Sequence, residues 1–261
     1  MRFILLLALA WALPAPAAAS AGATACRWPS APAVITDEPR LAIRVWEAPD
    51  SLVFDLYPQA LPELSAFRAW ARSETDLTGA TVDTDAYALL RRQLALYRRL
   101  RFDVADSIEM IVGGRVGRIR PMSCLEQLLF ADHQARFPVQ GYTEFNAFVL
   151  KKDGRLRAYS MSSGTNDGVA PSVDLIRARL DADRAQGWTV ELNLHNHPFN
   201  FKNPTGDIGA TLVPSGSLAG GDVSALTRQF TSLGLAAAAI TNGFDTVHFT
   251  PAEIARIAAT R

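Results

Sequence analysis

From residue 121 onward two capping boxes and two glycine turn pairs fix the order in which helices and strands can follow one another. Ser123-Cys124-Leu125-Glu126 and Thr250-Pro251-Ala252-Glu253 each place a hydroxyl residue three positions ahead of a Glu. At a helix start, that spacing lets side chains and backbone satisfy each other's free N–H groups. Asp153-Gly154 and Asn242-Gly243 tolerate the left-handed backbone of a tight hairpin. Between these marks, apolar spacing predicts a helix to about residue 136, a hairpin of strands 145–150 and 155–161, and a helix over 173–186 with Val173, Ile176 and Leu180 inward. A strand over 188–194 follows, then a long Gly/Pro/Asn loop. Asp222 opens a helix with Val223, Leu226, Phe230 and Leu233 on one face and Gly234 as its stop. A hairpin of 235–241 and 244–249 and a final helix complete the chain. This order defines a mixed α/β (α+β) protein, a sheet flanked by helices.

The first half is less sharply marked. Met1-Arg2, the apolar run Phe3 to Leu13 and the small residues up to Ala25, with two Ala-x-Ala sites, are read as a signal peptide over 1–25. The run falls short of the ~20 apolar residues of a membrane span. An uncleaved anchor and a lipid-modified Cys26 are its other readings. The expected mature protein is exported, periplasmic or secreted, with no membrane span after cleavage. Residues 27–39 read as coil, 41–46 and 52–57 as strands, 62–73 and 84–102 as helices, and 108–112 as a short strand. The basic stripe Arg91, Arg92, Arg98 and Arg99 is expected to be a solvated helix face. The division is thus 1–25, an N-terminal region 26–120 and a second region 121–261. Only two cysteines occur, Cys26 and Cys124, and in an oxidising compartment a lone pair is expected to form a disulfide. Lys+Arg and Asp+Glu both number 26, so the basic excess needed for nucleic-acid binding is missing.

The chemistry concentrates in Leu194-His195-Asn196-His197-Pro198. Side chains two apart on a strand share a face, so both imidazoles can turn toward one point before Pro198 leads the chain away. Two imidazoles with a third oxygen or nitrogen ligand and an open position form a hydrolytic zinc site. Asp222 at its helix start offers that ligand, and Asp207 in the loop is a rival. Glu144 begins a hairpin strand and is the expected general base; Glu191, alternating with Asn193 and His195, is its competitor. His133 and His248 read as structural or surface residues. Asn196 either orients the histidines or makes a turn.

The series Glu144, then His195-Asn196-His197-Pro198, then Pro214-Ser215 and Asp222 resembles the JAMM/MPN metalloprotease family over residues 121–261. The resemblance implies an MPN-like sheet of cytidine-deaminase-like architecture, with zinc held by His195, His197 and Asp222. It further implies that Glu144 takes a proton from the attacking water during cleavage of an amide in a peptide or protein substrate. That family places a Ser three residues before the Asp. Here Ala219 stands there, and the segment from His197 to Asp222 is enlarged, so Ser215, Ser217 or a backbone N–H of Gly220 or Gly221 must serve instead. A non-catalytic MPN-like scaffold is the alternative. A nucleoside-deaminase site is excluded, because Cys26 and Cys124 supply no Pro-Cys-x-x-Cys.

Overall fold

The computed structural model describes residues 26–50, 60–137, 142–165 and 167–261. The expected signal peptide and the strand expected at 52–57 lie outside them. The Asp153-Gly154 pair turns as its sequence requires, with φ of 48° and 73°, joining β4 (Phe145–Lys152) to β5 (Arg155–Ser163). These strands form the centre of one eight-stranded mixed sheet in the order β1-β2-β5-β4-β6-β7-β8-β3. β6 (Thr189–Asn196) runs antiparallel to β4 and parallel to β7 (Ala237–Thr241). β8 (Asp245–Phe249) returns antiparallel to β7. The N-terminal region supplies both outer edges: β1 (Ala33–Glu38) and β2 (Leu41–Pro49) on one side, β3 (Arg118–Pro121) on the other. Residues 26–120 and 121–261 therefore share a single sheet.

Among the described residues seven α-helices flank it: α1 (Ser65–Ser73), α2 (Ala86–Leu100), α3 (Val104–Val112), α4 (Cys124–Arg136), α5 (Arg177–Ala185), α6 (Gly221–Leu233) and α7 (Pro251–Ala258). Both capping boxes form as expected, Ser123 with Glu126 and Thr250 with Glu253. Alternation along the central strands sorts the core into two layers. Phe145, Ala147, Val149, Leu192 and Leu194 face α1 and α4, where Phe67 and Phe130 pack edge to face at 4.9 Å. On the opposite side Phe148, Leu150 and Val190 meet Ile176 and Leu180 around α5. Beside that cluster, Ile240 and Val247 meet α2, α3, α6 and α7. Phe130, Phe145, Phe148 and Phe249 are almost wholly enclosed, each stabilising the fold by roughly 1.5–3 kcal/mol.

Four expectations are corrected. Residues 33–38, read as coil, form edge strand β1. The run 108–112, read as a strand, is the second half of α3, whose buried Ala105, Ile108 and Ile111 follow a helical period. A short apolar run has no period of its own to separate the two. The helix expected over 173–186 divides into a 3₁₀ turn (Val173–Leu175) and α5, because Ile176 takes φ −124°. Finally, the Asn242-Gly243 turn spans 242–245, with the Asn242 carboxamide oxygen accepting from the N–H groups of Phe244 and Asp245.

Cys26 and Cys124 are disulfide-bonded across 98 positions of sequence, consistent with an oxidising compartment. The bond ties the first described residue to the start of α4, beside the stacked rings of Trp28 and Trp46, 5.0 Å apart. Loss of so long a closure is expected to destabilise the fold by about 2–5 kcal/mol. Denaturant unfolding of Cys26→Ser should show this. Non-reducing peptide mapping should find the two cysteines in one linked fragment; free thiols at both positions in protein isolated without reductant would refute the pairing. Among the described residues no helix is long and apolar enough to cross a membrane.

Candidate metal centre

β6 delivers the histidines. Leu192 and Leu194 turn into the α1/α4 layer, so Asn193 and His195 face the other way. The His197 N–H donates to Thr241 O at 2.9 Å, which carries the β6–β7 pairing past the strand end and keeps His197 on the His195 side. Their Nε2 atoms stand 3.2 Å apart. Asp222, the second residue of α6, completes a triangle: Oδ2 is 3.1 Å from His197 Nε2 and Oδ1 is 3.5 Å from His195 Nε2. Ligands about 2.05 Å from a tetrahedral centre lie about 3.3 Å from one another. The three edges fit that face, and His195, His197 and Asp222 can hold a metal ion.

The surroundings fix these donors. Thr211 O can only accept, so His197 Nδ1, 2.6 Å away, must carry the proton, which leaves Nε2 for a cation. Burial works against a charged His197 ring, yet its hydrogen bond to Asp222 and that carboxylate's charge raise its pKa overall. Burial likewise opposes the Asp222 charge, but the two histidines hold this carboxyl well below the usual range.

Thr211 belongs to the enlarged segment, and α2 braces that segment. Gln93 Nε2 donates to Gly209 O at 2.6 Å, and the Tyr97 hydroxyl donates to Asp207. Asp207 also accepts from Gly209 N–H at 3.0 Å and stands outside the His195–His197–Asp222 triangle. The N-terminal region thereby acquires a role that sequence periodicity did not reveal: it holds the loop that orients His197.

A second loop brings Ser215 to Asp222. Residues 217–220 make a tight turn, Ser217 N–H to Gly220 O at 2.8 Å and Gly220 N–H to Ser217 O at 3.1 Å. At its neck Gly216 and Gly221 adopt φ of 70° and 73° and nearly touch; a Cβ on Gly216 would lie 2.2 Å from Gly220 O. This excursion sets Ser215 beside Asp222, with Ser215 N–H donating to Asp222 Oδ2 at 2.7 Å. Ser215 and Gly221 line the cleft at the metal centre. Ser217 Oγ accepts from Ala219 N–H within the turn, and the Gly220 N–H is spent on Ser217. From the C-terminus, Arg261 donates to Pro214 O at 2.9 Å and to Gly216 O.

Glu144 precedes β4 and lines the same cleft, 7% exposed. Asn196 places it: its Oδ1 accepts from Phe145 N–H at 2.7 Å and its Nδ2 donates to Thr143 O at 3.2 Å. The residue between the two histidines thus grips the backbone on both sides of Glu144. Burial, reinforced by the charges of Asp222 and Asp167, pushes the Glu144 pKa up to about 8, against the opposing pull of His197.

The other candidates lie elsewhere. The β4–β6 register shifts opposite Val149 and Leu150, leaving Glu191 as the extra residue of a bulge. Bulged residues lose strict alternation, and Glu191 accepts from the Thr189 hydroxyl at 2.7 Å on an exposed surface. His133 is wholly enclosed against Phe145 and Phe137, and burial lowers its pKa to about 4. His248 packs on the buried Glu126 at 2.7 Å, with Arg120 on the same carboxylate. No family model, curated protein or solved structure matches the chain.

Proposed function

We propose that the protein is an exported zinc-dependent hydrolase of amide bonds in peptides or proteins, a JAMM/MPN-like enzyme with an enlarged site loop. The observation that carries this reading is a buried carboxyl, Glu144, facing the same cleft as three converging donor atoms. The parallel β6–β7 pair that presents the two histidines, backed by helices on both faces, supports an MPN-like, cytidine-deaminase-like architecture. A zinc ion at His195, His197 and Asp222 supplies Lewis acidity, polarising a carbonyl and acidifying water.

The chain's own groups then divide the work. Glu144 accepts a proton from the attacking water as its oxygen adds to the carbonyl carbon, and delivers that proton to the leaving nitrogen as the C–N bond breaks. A cation held by these ligands would oppose the burial that raises the Glu144 pKa and favour the ionised form that accepts a proton. Ser215, set beside Asp222 by the looped-out turn, donates to the carbonyl oxygen as charge develops on it. Thr211 and Asn196 hold His197 and Glu144 in position. The products are a carboxylic acid and an amine.

The test is metal-dependent turnover on peptide and isopeptide libraries, read as newly formed amines. Chelation should abolish cleavage and added zinc should restore it. Cleavage that persists after complete metal removal overturns the reading.

A further inference from the structure

The cleft, about 720 Å³, continues past the metal centre along α6. Its floor is polar where a core would be apolar. On the face that carries Glu144 and His195, the next residues of β4 and β6 are Asn146 and Asn193, and Asn193 is only 1% exposed. Asn193 Nδ2 donates to Asn146 Oδ1 at 2.6 Å and to Ala147 O at 3.2 Å, while Asn146 Nδ2 donates to Pro171 O at 2.9 Å. These bonds fix both side chains.

The wall is α6, from which Asp222, Ala225, Leu226 and Gln229 line the cleft. Gln229 is 7% exposed, and its buried Oε1 has no hydrogen-bond partner. An enclosed carboxamide left unbonded is destabilising, and Leu or Met would suit a purely structural position better. Seven residues of helix put Gln229 about 10 Å beyond Asp222, the reach of about three residues of extended peptide. A carboxamide carries a donor and an acceptor side by side, the complement of a peptide group.

Charge is also graded along the cleft. Asp103 and Asp207 line it on the side of α2 and α3. Arg177 and Arg228 line it on the side of α5 and α6, accompanied by Asp174. Arg228 donates to Ser224 Oγ, and among the described residues it has no carboxylate within 4.0 Å. Arg177 approaches Asp174 only at 4.0 Å.

We propose that Asn193 and Gln229 form a peptide-binding subsite for the main-chain amide about three residues from the bond that is cleaved, with Arg228, on the neighbouring face of α6, receiving a terminal carboxylate beside it. This rests on the amide-hydrolase reading and specifies its substrate: short peptides ending in a free carboxylate on that side.

The probe is a ladder of N-acetylated peptides of one to four residues, with free or amidated C-termini. Binding is measured on zinc-loaded Glu144→Gln protein so that nothing is consumed. Affinity should rise about tenfold when the third residue is added, and Gln229→Leu should erase that step. Amidation should weaken binding several-fold, but not in Arg228→Gln. The Gln229→Leu protein should melt no lower than its parent, because a ligand-facing carboxamide supports nothing in the free fold. A lowered melting temperature, or an unchanged ladder in Gln229→Leu, overturns the subsite alone. Failure of every peptide to bind the zinc-loaded protein overturns the amide-hydrolase reading and the subsite with it.

Discussion

Glu144→Gln is expected to lower turnover of the zinc-loaded enzyme by about two to four orders of magnitude, with metal content and stability unchanged. The carboxamide keeps the volume and much of the polarity of the side chain, so the Asn196 clamp on Thr143 O and Phe145 N–H is undisturbed. It cannot accept and return a proton. Glu191→Gln is the control: that side chain sits on a bulge at the surface, bonded to Thr189, and turnover should stay within a few-fold of the parent. Kinetics on both variants at matched metal occupancy decide the matter. Normal turnover in zinc-loaded Glu144→Gln would remove Glu144 as base, and loss of turnover in Glu191→Gln alone would move the base to Glu191.

The second large effect is expected at Asp222. Asp222→Ala removes one of three donors and the only negative charge in the ligand set. Metal affinity should fall by well over the ~10–100-fold that loss of an outer hydrogen-bond partner costs. Asp207→Ala removes the rival carboxylate of the same segment, but that group is bound to Tyr97 and Gly209. It should weaken metal binding only modestly, by loosening the loop that carries Thr211. Competition titration against a chromophoric chelator separates the two. Equal losses would mean that Asp207, not Asp222 alone, contributes to holding the ion.

Local chemistry explains how much of this was legible in the sequence. The capping boxes at Ser123 and Thr250 and the Asp153-Gly154 turn act within four residues, and each forms where the sequence places it. The convergence of His195, His197 and Asp222 was readable for a related reason: strand alternation fixes the histidine pair, and a helix start fixes the aspartate. What escaped depends on contacts distant in sequence. β1 is a strand because β2 lies beside it, although its own neighbourhood is rich in Pro, Ala and Ser. Glu191 kept a perfect alternation with His195 on paper, and only the pairing with β4 introduces the bulge. Tyr97 is buried on α2, and its hydroxyl reaches across 110 positions to Asp207. That Ser215 rather than Ser217 stands beside Asp222 depends on the close approach of Gly216 and Gly221, which no spacing rule anticipates.

The central claim is that this fold builds a metal site, and elemental analysis of the purified protein beside His197→Ala tests it most directly. His197 is the ligand held on both sides, by Thr211 O and by Asp222, so its removal should empty the site while the disulfide and core preserve the fold. The account predicts one zinc per chain in the parent and less than about a tenth of that in the variant. No stoichiometric metal in the parent, or full zinc in His197→Ala, would contradict it.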